Sequence, residues 1–371
     1  MEKNKIGNLE AIALVFTVII NHTILTLSQD IVSNIKSSAI LNVLFVGILA
    51  IFIGFIIYKL LKNFHGLDIL DISNFLGGKI LKNIIGILFF AYFTFTSAIL
   101  LNQFSHSLQI IYYPLTNTFF IILLFVIATS IVCYLKFNSV IRTNLLTLPI
   151  VLISMISLFI ANSKNFELGR IYPILGKGFN STFLAGSGNL FAFGGLSLLY
   201  FLPPHLKDYS QYKKITFISI LISLIYLLLN VSTTLLMFDT FVETDELMPL
   251  YSAVRYIEFG TFFERLDSIF LLIWIISFSC YLAIMMNFCI SIFKKLTNIK
   301  NSKFIVMPLG LLLVSIGIIP NNIALSNYLG SVIYKYSFFI LVLLISLPIL
   351  ILANLKNKKL SGDNNVKKQF N

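Results

Sequence analysis

Residues 38–61 read SAILNVLFVGILAIFIGFIIYKLL, an apolar run broken only by Ser38, Asn42 and Lys59 among its polar side chains. A helix of about 20 such residues crosses the ~30 Å hydrocarbon core of a bilayer. Runs of this kind recur along the whole chain, so its folding solvent is lipid. They fall at 8–29, 38–61, 80–111, 117–136, 142–161, 181–203, 214–241, 266–293, 304–320 and 334–354. Leu and Ile fill them without the alternation of a barrel strand, which makes the spans helices. Composition agrees: the 371 residues are 58% hydrophobic and 11% charged, where soluble domains are about half apolar and a quarter charged. The expected fold is an all-α integral membrane protein of ten transmembrane helices. Residues 1–356 form its single domain, and 357–371 a polar cytoplasmic tail without regular structure.

The net charge of +12 does not indicate nucleic acid, because the cations sit in short loops and tails between spans. Ten spans place both termini on one side. Lys36, Lys164, Arg170, Lys177, Arg255, Arg265 and Lys335 then lie on the other, leaving 20 of the 27 basic residues with the termini. The bias toward the cytoplasm in such loops makes both termini cytoplasmic. Cys133, Cys280 and Cys289 lie inside apolar runs without a paired spacing and read as packing residues. The first apolar run has no small-residue cleavage site and is expected to be retained. The loop 162–180 carries Pro173 and three glycines and is expected to be ordered. After Pro249, a common first helical residue, Leu250, Val254 and Ile257 share one helical face, which predicts a short helix on the outer membrane surface.

Polar residues inside the spans are the functional candidates. Residues 18–28, VIINHTILTLS, place Asn21 and His22 near the middle of span one. Span six contains Gly186, Gly188, Gly194 and Gly195 with Ser187, Asn189 and Ser197, and each glycine weakens a helix by ~1 kcal/mol relative to alanine. Spans one and six occupy matching positions if the chain consists of two five-helix halves, about 8–161 and 181–354. Paired interruptions of that kind point to a transporter-like site at the membrane midplane. The alternative is that Asn21 and His22 hydrogen-bond neighbouring helices and hold the bundle together. Tyr92, Thr96, Gln103 and His106 line one side of span three and should face protein. Spans seven and eight carry milder groups, Ser277 among them. No Asp, Glu or Lys lies deep in a span; Glu10 and Asp239 are near span ends. His22 and His106 are then the sole candidates for the intramembrane relay of a proton-driven carrier. No nucleotide loop, metal cluster or nucleophile–base pair is present, so the chain is not expected to be an enzyme and calls for no cofactor.

Several stretches carry a family resemblance. FFERLDSIFLLIWIISF (262–278), with the single tryptophan Trp274, YPILGKGF (172–179), LLYFLPPHLK (198–207) and IIGILFFAYF (84–93) occur in an order and spacing that resembles the B-subunit (GerAB-type) family of bacterial spore germinant receptors. That family is a branch of the amino acid–polyamine–organocation transporter superfamily. The resemblance implies a 5+5 inverted repeat of the amino acid transporter (LeuT-like) type with broken helices 1 and 6. It implies a small nutrient ligand, an A subunit and a lipoprotein C subunit as partners, and the spore inner membrane as location. An amino acid or cation permease of the same fold is the alternative. In the family, a Gly-x-Gly in span one presents backbone amides to an amino acid carboxylate. Here Asn21, His22 and Thr23 stand in its place, Leu27-Ser28 replaces a Leu-Pro, and Ser197 replaces a glutamate. The implied ligand site is Asn21, His22 and Thr23 from span one; Gly194, Gly195 and Ser197 from span six; Tyr92 and Gln103 from span three; and Ser277 from span eight. Such a pocket suits a larger polar ligand better than a plain aliphatic amino acid. Glu264 and Arg265 are expected to anchor the surface helix to span eight.

Overall fold

A computed structural model describes residues 5–22, 27–135, 137–238, 248–257, 266–299 and 301–369. These residues are helical throughout, apart from turns and one isolated bridge between Ile6 and Leu206. Seven helices are long and apolar enough to cross a membrane: Leu27–Leu61, Ile69–Ile111, Phe137–Ala161, Asn180–Tyr200, Tyr209–Met237, Asp267–Thr297 and Ile323–Lys359. Three further apolar helices are shorter, Asn8–Asn21, Thr118–Tyr134 and Lys303–Gly317. The protein is an all-α, multi-pass integral membrane protein.

The first helix, α1 (Asn8–Asn21), starts where the Gly7 amide donates to Glu10 Oε2 at 2.6 Å and stops at Asn21. Helix resumes as α2 (Leu27–Ile35) and, after a short 3₁₀ turn, α3 (Ala39–Leu61). In α4 (Ile69–Ile111) the Asp68 carboxylate caps the first turn, accepting from the Leu70 and Asp71 amides at 3.1 and 3.0 Å. Gly77 and Gly78 then break this helix. Gly78 has φ 70°, a conformation that side-chain-bearing residues avoid. Next come α5 (Thr118–Tyr134) and α6 (Phe137–Ala161).

The glycine-rich segment 180–200 is wound irregularly, with π turns over Asn180–Leu184 and 3₁₀ winding over Ala185–Tyr200. The winding is not continuous: Phe193 (φ −92°, ψ 32°) leaves helical geometry and divides the segment just before Gly194. Beyond it lie α7 (Tyr212–Met237), the short α8 (Pro249–Arg255), α9 (Leu266–Thr297) and α10 (Lys303–Gly317). A final run comprises α11 (Ile323–Leu329), π turns at Gly330–Tyr334 and Phe339–Ile345 around α12 (Lys335–Phe338), and α13 (Ser346–Gln369).

Lipid tails offer apolar side chains the same environment as a neighbouring helix, so close packing and buried hydrogen bonds hold such a bundle together. The stripe Gly47, Ala50 and Gly54 of α3 meets Leu224 and Ile220 of α7, where added Cβ atoms would collide with the leucine and isoleucine methyls. Ile48 and Phe52, on the other side of α3, are exposed, as lipid-facing residues are. Asn102 of α4 ties down the end of α10, its Nδ2 donating to Gly317 O at 2.7 Å and Pro320 O at 3.1 Å. Asn102→Leu strands both carbonyls, at ~1–3 kcal/mol for a buried unsatisfied group. Thermal unfolding of the purified variant in detergent should show a lowered Tm, and an unchanged Tm would remove this role.

The predicted surface helix is α8, whose Leu250 and Val254 are buried against α7 and α9. Glu264 and Arg265 lie outside the described residues. The loop before residue 180 is ordered, and Ser37 Oγ donates to Pro173 O at 2.6 Å. The tail differs from expectation: α13 runs on to Gln369, because no proline follows Pro348 to remove an amide from its ladder.

At the lysine-rich end of the bundle, Lys295 in the last turn of α9 bridges Asp68 at 2.5 Å and Asp71 at 2.7 Å. Burial pushes the Asp68 carboxyl up to about 6 in spite of the lysine. Burial also opposes ionisation of Asp71, but there the hydrogen bond and charge of Lys295 outweigh it, and its pKa falls below the usual value. The two differ because Asp68 is the more enclosed, with a side chain 7% exposed against 34% for Asp71.

A small polar cavity beside the break in the first helix

His22 follows the last residue of α1. Its ring stacks on Tyr334 (centroids 4.3 Å apart, 11° between planes) and meets the edge of Tyr281 of α9. Its Nε2 lies 3.3 Å from the Tyr281 hydroxyl. Tyr334 ends the π turn Gly330–Tyr334. Its ring is also parallel to that of Tyr92 of α4, with centroids 6.1 Å apart, and Phe191 approaches at 80°. Such ring pairs contribute ~0.5–1.5 kcal/mol each beyond their burial, so Tyr334 joins four elements.

The glycines make that seat. A Cβ on Gly194 would overlap the Tyr334 hydroxyl. A Cβ on Gly195 would come within 2.5 Å of Ile19 Cγ1 and 3.0 Å of Ile19 N. Both glycines are buried. Their missing side chains give room to a tyrosine ring and to the close crossing of α1.

Next to the His22–Tyr334 stack is a cavity with about 30 Å³ of free space, enough for a water-sized group. His22, Asp30, Thr96, Gln103, Ser331 and Tyr334 supply its polar lining, and Leu27, Phe95, Ile99, Leu100, Phe191 and Leu329 its apolar walls. Gln103 Nε2 donates to Ser326 O and Asn327 Oδ1, both at 3.2 Å. Thr96 Oγ1 donates to Tyr92 O at 2.8 Å, and Ser331 Oγ to Tyr328 O at 3.2 Å. A groove of about 480 Å³ on the outside of the bundle, between α4 and the final run, shares Phe95 and Thr96 with the cavity and includes Tyr92.

Of the residues singled out from sequence, His22 and Gln103 line the cavity together. Tyr92 stands one ring away, behind Tyr334. Asn21 does not line it: its Nδ2 donates to Thr17 O at 2.9 Å and to Ser277 Oγ at 3.1 Å, tying α1 to α9, and Oδ1 has no partner among the described residues. Ser277 is thereby also outside the lining. Ser197 Oγ donates to Gly194 O at 2.8 Å within its own helix. Gly194 and Gly195 are covered by Tyr334 and Ile19. Thr23 lies outside the described residues. Sequence reasoning missed Tyr334 and Asp30. Asp30 did leave a signal, as an acidic residue in the first turn after the break, eight positions past His22.

A bundle interrupted in its first apolar segment, irregularly wound in a glycine-rich one, and with a small polar cavity between them belongs to the transporter-like class of membrane folds. The chain is similar to Mhp1, a nucleobase-cation-symport-1 family transporter in a closed conformation with bromovinylhydantoin bound, with TM-score 0.62 and 12% identity, covering 88% of this chain and 75% of that one. It is also similar to a Na⁺-coupled sialic acid symporter in a substrate-bound outward-open state, with TM-score 0.63 and 12% identity, covering 92% and 80%. The chain belongs to the spore germination protein family, whose model matches residues 5–325. A curated relative, spore germination protein B2 of Bacillus subtilis (strain 168), is 21% identical over 285 residues, 76% of this chain and 77% of the relative. Neither the family nor these structural neighbours are enzymes.

Proposed function

We propose that the chain is the B-type membrane subunit of a spore nutrient receptor, binding a small amino acid-like nutrient at the break in its first helix. The observation that carries this reading is the small cavity beside His22, lined by Tyr334, α4 and the 180–200 segment. Ten spans in two inverted five-helix halves would place the cavity near the midplane, with both termini on the spore-core side of the inner membrane. The partners are an A subunit in the membrane and a lipoprotein C subunit. Ligand entry requires the His22–Tyr334 stack to part, since an amino acid does not fit the present free space. The signal is then a shift between closed and open bundles, no larger than the ligand's differential affinity for the two. Asn21 and Ser277 keep α1 and α9 together in the closed form.

Nutrient-triggered cation release from dormant spores, with and without the gene, tests the reading across amino acids and nucleosides. Selective loss of the response to one nutrient class is expected, and the same loss from His22→Ala. An unchanged response to every nutrient, in a strain without redundant receptors, overturns it. The transporter-fold neighbours favour a permease as the second reading, and saturable uptake of a labelled nutrient by the purified chain in vesicles would select it.

A further inference from the structure

We propose that the cavity beside His22 receives the ammonium end of an amine, with Asp30 as its counter-charge. This rests on reading the cavity as the ligand site and narrows the class of ligand.

Among the described residues, Asp30 is the one charged group in the lining. Ser33 Oγ and Asn34 Nδ2 donate to its backbone carbonyl at 3.2 and 2.8 Å, while its carboxylate has no hydrogen-bond or ion-pair partner among the described residues. Three of the neutral groups around it have spent their donors. Both Gln103 Nε2 protons go to Ser326 O and Asn327 Oδ1, the Thr96 hydroxyl proton to Tyr92 O, and the Ser331 hydroxyl proton to Tyr328 O. Facing the cavity they retain oxygen acceptors. His22 Nε2 is engaged with the Tyr281 hydroxyl, and the Tyr334 hydroxyl is turned to Gly194, which does not line the space.

The site therefore offers one negative charge and several acceptors in a water-sized hole. A primary ammonium supplies the complement: one positive charge, three N–H donors and the volume of about one water. Charge-assisted bonds of this kind are roughly twice as strong as neutral ones. A ligand carboxylate would meet acceptors and a like charge. The amide end of α2, which would otherwise attract an anion, already has Asp30 in its first turn to offset its partial positive charge. A bare alkali cation fits less well, because the rings of His22, Tyr334, Phe95 and Phe191 occupy positions where a hard ion needs oxygens.

The test is ligand binding to the full chain in nanodiscs of neutral lipid, by calorimetry at constant ionic strength and pH 7. The probes are ethylamine, L-alanine, propionamide, propionate and sodium chloride. Ethylamine and L-alanine are expected to bind and propionate not to. Asp30→Asn should weaken the binding of both at least tenfold, and Asp30→Glu should recover much of it. Recovery separates loss of charge from loss of fold. Binding of propionate or propionamide without ethylamine overturns the ammonium assignment and leaves the nutrient-site reading standing. A sodium response that depends on Asp30, without an amine response, replaces the amine with a metal cation. No binding by any ammonium compound at millimolar concentration overturns the proposal. The receptor reading fails separately, if spores lacking the gene respond normally.

Discussion

Gly194→Ala should dismantle the aromatic stack at the heart of the bundle. The added methyl would occupy the volume of the Tyr334 hydroxyl, and the terminal ring carbon lies within the overlap too, so Tyr334→Phe brings no relief. Overpacking a core by a methylene costs ~1–3 kcal/mol when neighbours can shift. Here the ring has to leave its seat, losing its stacking on His22 and Tyr92. We expect a loss of about 3 kcal/mol, the top of that range, read as unfolding of the purified chain in detergent. Tyr334→Leu in the Gly194→Ala background should restore part of the loss, with a coupling of at least ~1 kcal/mol, as residues in contact show. A Gly194→Ala protein as stable as the parent would mean that Tyr334 is not seated there.

The second large effect is expected at the other end of the molecule. Lys295→Met keeps the length of the side chain and removes its charge, leaving Asp68 and Asp71 facing each other. Breaking a fully buried pair costs ~3–5 kcal/mol. Lys295 is 30% exposed and Asp71 34%, so water screens part of the loss and about 2–3 kcal/mol is expected. The sign of its pH dependence follows from Asp68. Burial raises that carboxyl to about 6 even with the lysine beside it, and removing the lysine raises it further, so ionising it in the folded variant is unfavourable. The Asp68 part of the deficit should be greatest in alkali, shrink as pH falls toward 6, and be lost below 6, where that carboxyl is protonated with or without the lysine. Unfolding at pH 5 and pH 8 measures it, and a deficit that grows on acidification would contradict the assignment.

Hydropathy made the apolar helices readable because each must span the same thickness of hydrocarbon, whatever its neighbours. The interruption at Asn21–His22 was readable too, since two polar side chains in an apolar run signal a local exception. The use of the glycines was not. Gly194 and Gly195 looked like exposed backbone, whereas they make room for Tyr334 and Ile19. Which of the chain's 36 phenylalanines and 16 tyrosines fills a gap 140 residues away depends on tertiary packing, and no local pattern encodes it. Asn21 illustrates the opposite limit: the alternative of interhelical hydrogen bonding describes its contact with Ser277, while its bond to Thr17 O stays within α1. Asp30 lay just beyond the end expected for span one, and a helix break followed by an acid in the resumed first turn would have been reason enough to include it.

Past the break at Phe193, the 3₁₀ winding of residues 194–200 makes this stretch a screw of adjustable pitch. A residue that passes from 3₁₀ to α winding shortens it by ~0.5 Å and turns it by ~20°, from 120° to 100° per residue. If only the four residues from Gly194 to Ser197 rewound, the ends would approach by about 2 Å and rotate by about 80° relative to each other. Since Gly194 makes room for the Tyr334 ring and Gly195 for Ile19, a small axial displacement at the Tyr200 end would be delivered to the His22–Tyr334 stack as torque.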